Sequence, residues 1–369
     1  MLKPERIINS SAPIRICDIG GWTDTWFAEY GNIVNIAVRP FVNVQLFVYS
    51  RFDVEHRITL FAENYNERFA VDCDQLLLDG KYALLEAAFS VMQVPEDVAI
   101  EVHVYSEVPP GASTGTSAAV SIALIAALDM LTPGRMSPAE VAQMAHRIET
   151  EILGWQCGIQ DQLCSAFGGI NYIQMTDYPH ASVSPLVLPL PLRLELERRL
   201  MLIYLGSAHV SSSVHKQVIS GFEQSGKDDP RLIGLRREAM RAKDALLEGN
   251  LELYAEVMNA NTAWQERMHP DILGEQAKAL IAIARETNVC GWKLNGAGGN
   301  GGSVTLLFGE MNHDKRRFKE ALRAALPEAQ VIPISLSPSG VHVWESVPIG
   351  HAAAVGQRAS TAYAGGILS

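Results

Sequence analysis

The sequence predicts an α+β protein of two domains, and three observations lead there. Its 369 residues leave room for two cores of ordinary size. Each half opens with strand-like alternation and then turns to helical periodicity, unlike the regular strand–helix alternation of a parallel sheet. Between the halves, Tyr178 to Leu192 is rich in Pro, Ser and Leu and reads as a connection. The expected divisions are a first domain at 1–190, a second at 191–348 and a flexible tail at 349–369, which is Ala/Gly-rich and aperiodic.

Arg6 to Cys17 reads as a strand interrupted at Pro13, and Asp18 to Asp24 as a tight, glycine-bearing loop. Asn32 to Tyr49 alternates as two strands meeting near Pro40, and Arg57 to Val71 continues the β pattern. Lys81 to Met92 reads as a helix and Ala99 to Tyr105 as a strand. Helices follow at Thr116–Leu131 and Ser137–Leu153; Ser137 and Glu140 give the second a capping box, with Pro138 in its first turn. Strands at Ile170–Met175 and Leu200–Leu205 flank the connection. Four helices are expected near Ser211–Phe222, Arg231–Glu248, Leu251–Glu266 and Ile272–Thr287. A strand at Ser303–Phe308, a helix at His313–Ala325 and strands at Gln330–Ser335 and Gly340–Glu345 complete the pattern.

A net charge of −11 and a pI near 5.4 argue against a nucleic-acid or anionic-membrane partner. The longest mostly apolar run, Ala118 to Leu128, is too short to span a bilayer, and the opening MLKPERIINSSAP lacks the run of a signal peptide. The five cysteines form no CxxC pair, which reads as reduced thiols in a cytoplasmic protein without structural zinc. A monomer or homodimer is expected.

The stretch Glu107 to Leu128 carries the chemistry. A loop of small residues, Gly111 to Thr116, separates a strand from an apolar helix. Small side chains leave backbone N–H groups open, and the helix start adds its dipole, making an anion site suited to phosphate. Two other glycine patterns fail. Gly221–Lys227 (GFEQSGK) has Asp228 where Ser or Thr should bind magnesium and follows a helix. Gly296–Gly301 (GAGGNG) is followed by a strand where a dinucleotide fold needs a helix, so the rival reading, an oxidoreductase, is weak.

Three spaced motifs, Ser11–Thr25, Pro109–Ala119 and Lys293–Gly302, agree in order and approximate spacing with the GHMP kinase superfamily (galactokinase, homoserine kinase, mevalonate kinase), which the chain resembles from about Ile8 to Val343. The resemblance implies the two-domain GHMP kinase fold: a ribosomal protein S5 domain 2-like N-terminal ATP-binding domain and a ferredoxin-like C-terminal domain. It also implies a kinase of a small molecule that uses ATP and Mg²⁺.

The family's P-G-x-G-L-G-S-S-A is read here as Pro110, Gly111, Ala112, Ser113, Thr114, Gly115, Thr116, Ser117 and Ala118, with departures at Ser113, Thr114 and Thr116 that stay small or hydroxylic. By resemblance this loop cradles the ATP phosphates, with the Ser117 hydroxyl near Mg²⁺. Glu149 stands in the usual place of the metal carboxylate, and Glu151 competes for that role. Gly158–Gln162 resembles the segment whose aspartate, here Asp161, contacts the acceptor hydroxyl. Arg15 and Asp24 have the separation of the Arg and Asp of galactokinase's signature, whose G-E-H-T-D-Y becomes Gly20, Gly21, Trp22, Thr23, Asp24 and Thr25. Arg15 is thereby expected beside Asp161, offsetting charge on the transferring phosphoryl, and Asp24 accepting from sugar hydroxyls. Gly21 and Trp22 replace Glu and His, which implies a hydroxyl pattern other than galactose's.

In the third motif, Gly296 and Gly298 are expected to bring backbone against the substrate. The overall resemblance to the heptose 7-phosphate kinase and fucokinase branch implies a sugar or sugar-phosphate acceptor, phosphorylated at its anomeric hydroxyl. The alternative is a galactokinase-, fucokinase- or arabinokinase-type enzyme acting on a free aldose. Where that branch carries a TG-x-x-R segment, this chain has Gly206–Ser212, with His209 replacing the arginine. His209 and Ser211 are candidate site residues. Lys293 reads as a strand-end charge, and His103, His215 and His269 as structural or surface residues. A non-catalytic sugar sensor on this fold is disfavoured by the retained Arg15 and Asp161.

Overall fold

The computed structural model describes residues 3–72, 80–206 and 212–346, with side chains left aside at 212–213. The tail expected at 349–369, together with His209 and Ser211, therefore lies outside the described residues.

The chain begins with a long hairpin, β1 (Arg6–Ile19) and β2 (Gly31–Ser50), then β3 (Ile58–Ala62), β4 (Glu67–Ala70), α1 (Ala83–Val91) and β5 (Val98–Ser106). Next come α2 (Thr116–Asp129), α3 (Pro138–Arg147), a π-helical turn (Ile148–Ile152), α4 (Gln160–Phe167), β6 (Ile170–Asp177) and β7 (His180–Pro185). The second half runs α5 (Leu190–Arg199), β8 (Leu200–Tyr204), α6 (Ser212–Ser225), α7 (Pro230–Glu248), α8 (Leu251–Glu266) and α9 (Glu275–Glu286). It ends with β9 (Val289–Leu294), β10 (Ser303–Phe308), α10 (Asn312–Ala325), β11 (Gln330–Ile332), β12 (Ser335–Leu336) and β13 (His342–Glu345).

Two sheets result. The larger has the order β13-β1-β2-β5-β3-β4, with β6 and then β7 extending from the first half of β2. The smaller is antiparallel, in the order β11-β8-β10-β9. Along β2, Val42, Val44, Leu46 and Val48 are buried and their neighbours are not, the period-2 signature of a half-buried strand. Its first half, Ile33 to Val38, is buried almost throughout because α2, α4 and α7 pack on β1 and β2. The helix α2 is apolar all round and buried from Ala118 onward, apart from Val120, as befits a helix enclosed by neighbours.

Several elements differ from the sequence reading. The two strands expected to meet at Pro40 form one, because a register shift opposite Pro13/Ile14 absorbs Arg39 and Pro40 as an irregularity, where the missing proline N–H costs no ladder bond. The expected connection Tyr178–Leu192 contains β7, an exposed edge strand, and the start of α5. Leucines at every second position hide α5, which is reinforced by Arg198 and Arg199 pairing with Glu195. The capping box at Ser137 and Glu140 forms as expected. Finally, β12 and β13, which fall within the second domain expected at 191–348, return to the first sheet and pair with β2 and β1.

The packing separates into two apolar clusters. One fills the large sheet and α2–α4; the other lies under the small sheet. Trp22, Phe27 and Ala28, from the first half of the chain, belong to the second cluster. The loop after β1 is thus anchored in the opposite half. No helix among the described residues is long and apolar enough to cross a membrane.

Candidate active site

The site forms where the end of β1, the starts of α2 and α4 and the β9–β10 turn meet. The loop into α2 has left-handed residues at Gly111, Ser113 and Gly115. The carbonyl of Ala112 accepts from the Ser303 hydroxyl, that of Ser113 from Arg15 Nη1, and that of Thr114 from the Arg15 amide at 2.9 Å. A trans peptide sets each N–H opposite the preceding carbonyl, so the amides of Ser113, Thr114 and Gly115 face the other way. With the first turn of α2 they offer a nest of donors for an anion.

Beneath that loop lies Arg15, buried, with a bidentate grip on Asp161: Nε to Oδ1 at 2.8 Å and Nη2 to Oδ2 at 3.1 Å. Burial opposes the charge on Arg15, but the carboxylates of Asp161 and Asp18 outweigh it and raise its pKa. Asp161 stands in the first turn of α4 and keeps about a quarter of its side chain exposed, so it is held yet reachable. A Cβ on Gly115 would sit 3.1 Å from Asp161 Oδ2, and one on Gly296 would sit 3.2 Å from Ser113. All three motifs therefore converge on one ion pair.

Asp24 is buried, and its Oδ2 accepts the Gln160 amide at 3.0 Å, capping α4. Burial, with Asp161 and Asp18 nearby, pushes its carboxyl up to about 6. Glu149 is buried too, and its acid is raised to about 7 by burial first; its Oε1 accepts from Gln162 Nε2 at 3.0 Å. Glu151, by contrast, is exposed and pairs with Arg147. Arg15, Asp161, Asp24, Trp22, Ser117, Glu149 and Gly296 all line one cleft of about 210 Å³.

Other expected residues have a different part. Thr23 is fully buried and spends its hydroxyl on the Gly20 carbonyl at 2.7 Å. Gly20 presses against the Asn32 carbonyl and Gly21 against Asp18, so these three shape the turn and do not line the cleft. Gly298 packs on Ile272, and Ala297 takes its place on the wall.

Lys293 is no strand-end charge. It is fully buried, with Nζ 3.0 Å from Asp18 Oδ1, and Asp18 also accepts the Gly296 amide at 3.1 Å. This pair, with Asn295 Oδ1 accepting the Cys17 amide at 3.2 Å, fastens the third motif to the first. Asp18 was visible only as the acid opening a glycine loop. Lys293 occupies an inward position of β9, two residues beyond buried Gly291. His215, expected to be structural or on the surface, packs against Trp22 with ring centroids 5.0 Å apart and planes tilted by 46°, and lines the cleft.

The glycine pattern at Gly296–Gly301 is a turn between β9 and β10, which removes the geometry that a dinucleotide would need. Gly221 lies inside α6, and Lys227 pairs with Glu29.

The model of the GHMP kinases N terminal domain matches residues 81–169, which span the anion loop, Glu149 and Asp161. The chain is 23% identical over 348 residues to D-glycero-alpha-D-manno-heptose 7-phosphate kinase of Campylobacter jejuni, covering 92% of this chain and 99% of that one. Residues 81–169 thus form a GHMP kinase N-terminal domain. The chain is 26% identical over 286 residues to the mevalonate kinase of Thermococcus sibiricus, 72% of this chain and 80% of the relative. Its fold matches that of Lactococcus lactis galactokinase complexed with galactose, with a TM-score of 0.73 at 17% identity over 92% of this chain and 95% of that one. The chain is a phosphotransferase with an alcohol group as acceptor, and its α+β two-domain fold is that of the GHMP kinases.

Proposed function

We propose that this GHMP kinase transfers the γ-phosphoryl group of ATP to the anomeric hydroxyl of a sugar or sugar phosphate. The observation that carries this reading is the Arg15–Asp161 pair, set under the anion loop at Gly115 and against Gly296. A nucleotide phosphate fits the amides of Ser113–Gly115 and the start of α2. The acceptor fits the rest of the cleft, between Asp24 and Asp161.

In the reaction the acceptor oxygen bonds to the γ-phosphorus, the bond from that phosphorus to the β-bridging oxygen breaks, and ADP leaves. The hydroxyl proton passes to Asp161, which Arg15 holds in place for it. Arg15 also stands where charge develops on the equatorial oxygens. Ser117 and Glu149 suit a Mg²⁺ ion: both line the cleft, and Glu149 is a buried carboxylate that accepts from neutral groups, the Gln162 amide and the Cys157 thiol. When bound, Mg²⁺ supplies charge neutralisation at the phosphate oxygens, and two protein oxygens beside phosphate and water suit its octahedral habit.

We further propose that residues 1–190, completed by β12 and β13, form the nucleotide-side domain and that 191–334 form the other. The test of the reading is Asp161→Asn, assayed for ADP release and for thermal stabilisation by Mg·ATP. Loss of turnover with folding and nucleotide binding intact is the expected result; near-normal turnover overturns the mechanism.

A further inference from the structure

The two acceptor classes differ by one charged group, and the cleft's charges discriminate between them. A phosphate substituent taken out of water needs a cation or several donors in return. Among the described lining residues the fixed cation is Arg15, whose charge is paired with Asp161 in a bidentate grip and whose Nη1 also donates to the Ser113 carbonyl. Lys293 is close by but fully buried on Asp18 and the Leu294 carbonyl. Burial lowers the pKa of His215, which favours its neutral form. Residues 207–211, outside the described set, contain neither Lys nor Arg. Lys216 follows His215 but is exposed and is not part of the wall.

Against this stand four carboxylates, Asp18, Asp24, Glu149 and Asp161. Asp18 and Asp161 have their cations, and Glu149 is assigned to the metal. Asp24 accepts from backbone amides, Gln160's among them, and has no cation beside it among the described residues.

What the cleft does offer is suited to hydroxyl groups. Trp22 lines it, is more than nine-tenths buried, and its indole N–H has no hydrogen-bond partner among the described residues. A buried donor without a partner costs about 1–3 kcal/mol, which a ligand oxygen can recover. Asp24 supplies the complementary acceptor. The tilted Trp22–His215 pair adds an aromatic wall, the usual companion of a few placed polar groups in a small-molecule site. At about 210 Å³ the cleft falls below the range of roughly 300–1,000 Å³ common for ligand pockets.

We infer that the acceptor is an uncharged sugar, recognised through its hydroxyl groups by Trp22 and Asp24 in a cleft whose described residues include no unpaired cation to receive a second phosphate. The inference rests on the sugar-kinase reading and selects its free-aldose form.

The experiment measures ADP release by the full chain with Mg·ATP over two matched pairs, mannose with mannose 6-phosphate and arabinose with arabinose 5-phosphate, and over fucose and heptose 7-phosphate as unpaired sugars. At least one free sugar is expected to exceed its phosphorylated partner at least 100-fold in kcat/KM. For that sugar, Trp22→Phe should raise KM about tenfold with a smaller change in kcat, while stabilisation by Mg·ATP persists. A phosphorylated sugar used as well as or better than every free one overturns the inference and leaves the kinase reading standing. Equal KM in a folded Trp22→Phe protein overturns the part given to Trp22. Turnover of no sugar of either kind, with nucleotide binding intact, overturns both readings.

Discussion

Replacing Gly115 with alanine tests whether the anion loop positions the reacting pair as well as binding phosphate. The residue has φ +68°, and an added Cβ meets Asp161 Oδ2 at 3.1 Å and Arg15 Cγ at 3.2 Å. The left-handed backbone alone costs an alanine about 1–2 kcal/mol. At roughly 2–4 °C per kcal/mol for a domain of this size, Tm should fall by about 2–8 °C. The contacts are tight enough to move the carboxylate by tenths of an ångström, and a misplacement of about 1 Å costs on the order of 100-fold in rate. We expect kcat to fall about 10- to 100-fold, or about 1.4–2.7 kcal/mol in barrier. Stabilisation by Mg·ATP should persist, because alanine keeps the amide. Gly134→Ala is the control: its φ is +103°, but an added Cβ there meets nothing within 4 Å. It should lose stability without losing rate. Steady-state ADP release and thermal unfolding of both variants decide the matter. Unchanged kcat in Gly115→Ala, or an equal loss in Gly134→Ala, would refute the argument.

Further expectations concern single side chains. Glu149→Gln should lower activity at least tenfold and raise the Mg²⁺ concentration needed for half-maximal rate, whereas Glu151→Gln removes a surface pair worth only about 0.3–0.5 kcal/mol and should leave the Mg²⁺ titration unmoved. Asp18→Asn and Lys293→Met each leave a buried charge unpaired and should cost about 3–5 kcal/mol in urea unfolding, with the double variant recovering part of that loss. Asp24 is raised by burial to about 6, so its contribution to stability is fully present below about pH 4 and is lost as pH rises through 6. The Tm of the natural protein should therefore fall relative to Asp24→Asn between pH 4 and 7. Because the ionised form accepts from hydroxyls, kcat/KM should decline below about pH 6.

What the sequence made legible follows from locality. The anion loop, Arg15 and Asp161 lie in compact runs of small and charged residues whose chemistry depends on neighbours a few positions away. The fold class followed from strand and helix periods of the same range. Asp18 and Lys293 escaped because their partnership spans 275 positions, and a lysine in a strand ordinarily marks an edge. Thr23 stands in the galactokinase-like signature beside Asp24, and only the turn geometry shows its hydroxyl bonded to the backbone of its own turn. The return of β12 and β13 left no local trace, since a strand's pattern says which face is apolar but not which sheet receives it.

That return bears on how the protein is made. β1 is flanked by β2 on one side and by β13 on the other, and β13 begins at His342. At synthesis rates of about 5–20 residues per second, the outer edge of β1 waits on the order of 15 to 65 s for its partner. An unpaired strand edge is a template for pairing with another chain. The N-terminal lobe of a nascent molecule is thus nearly complete yet open along one side until its last strand is released. Nascent-chain crowding on polysomes should find its opportunity there.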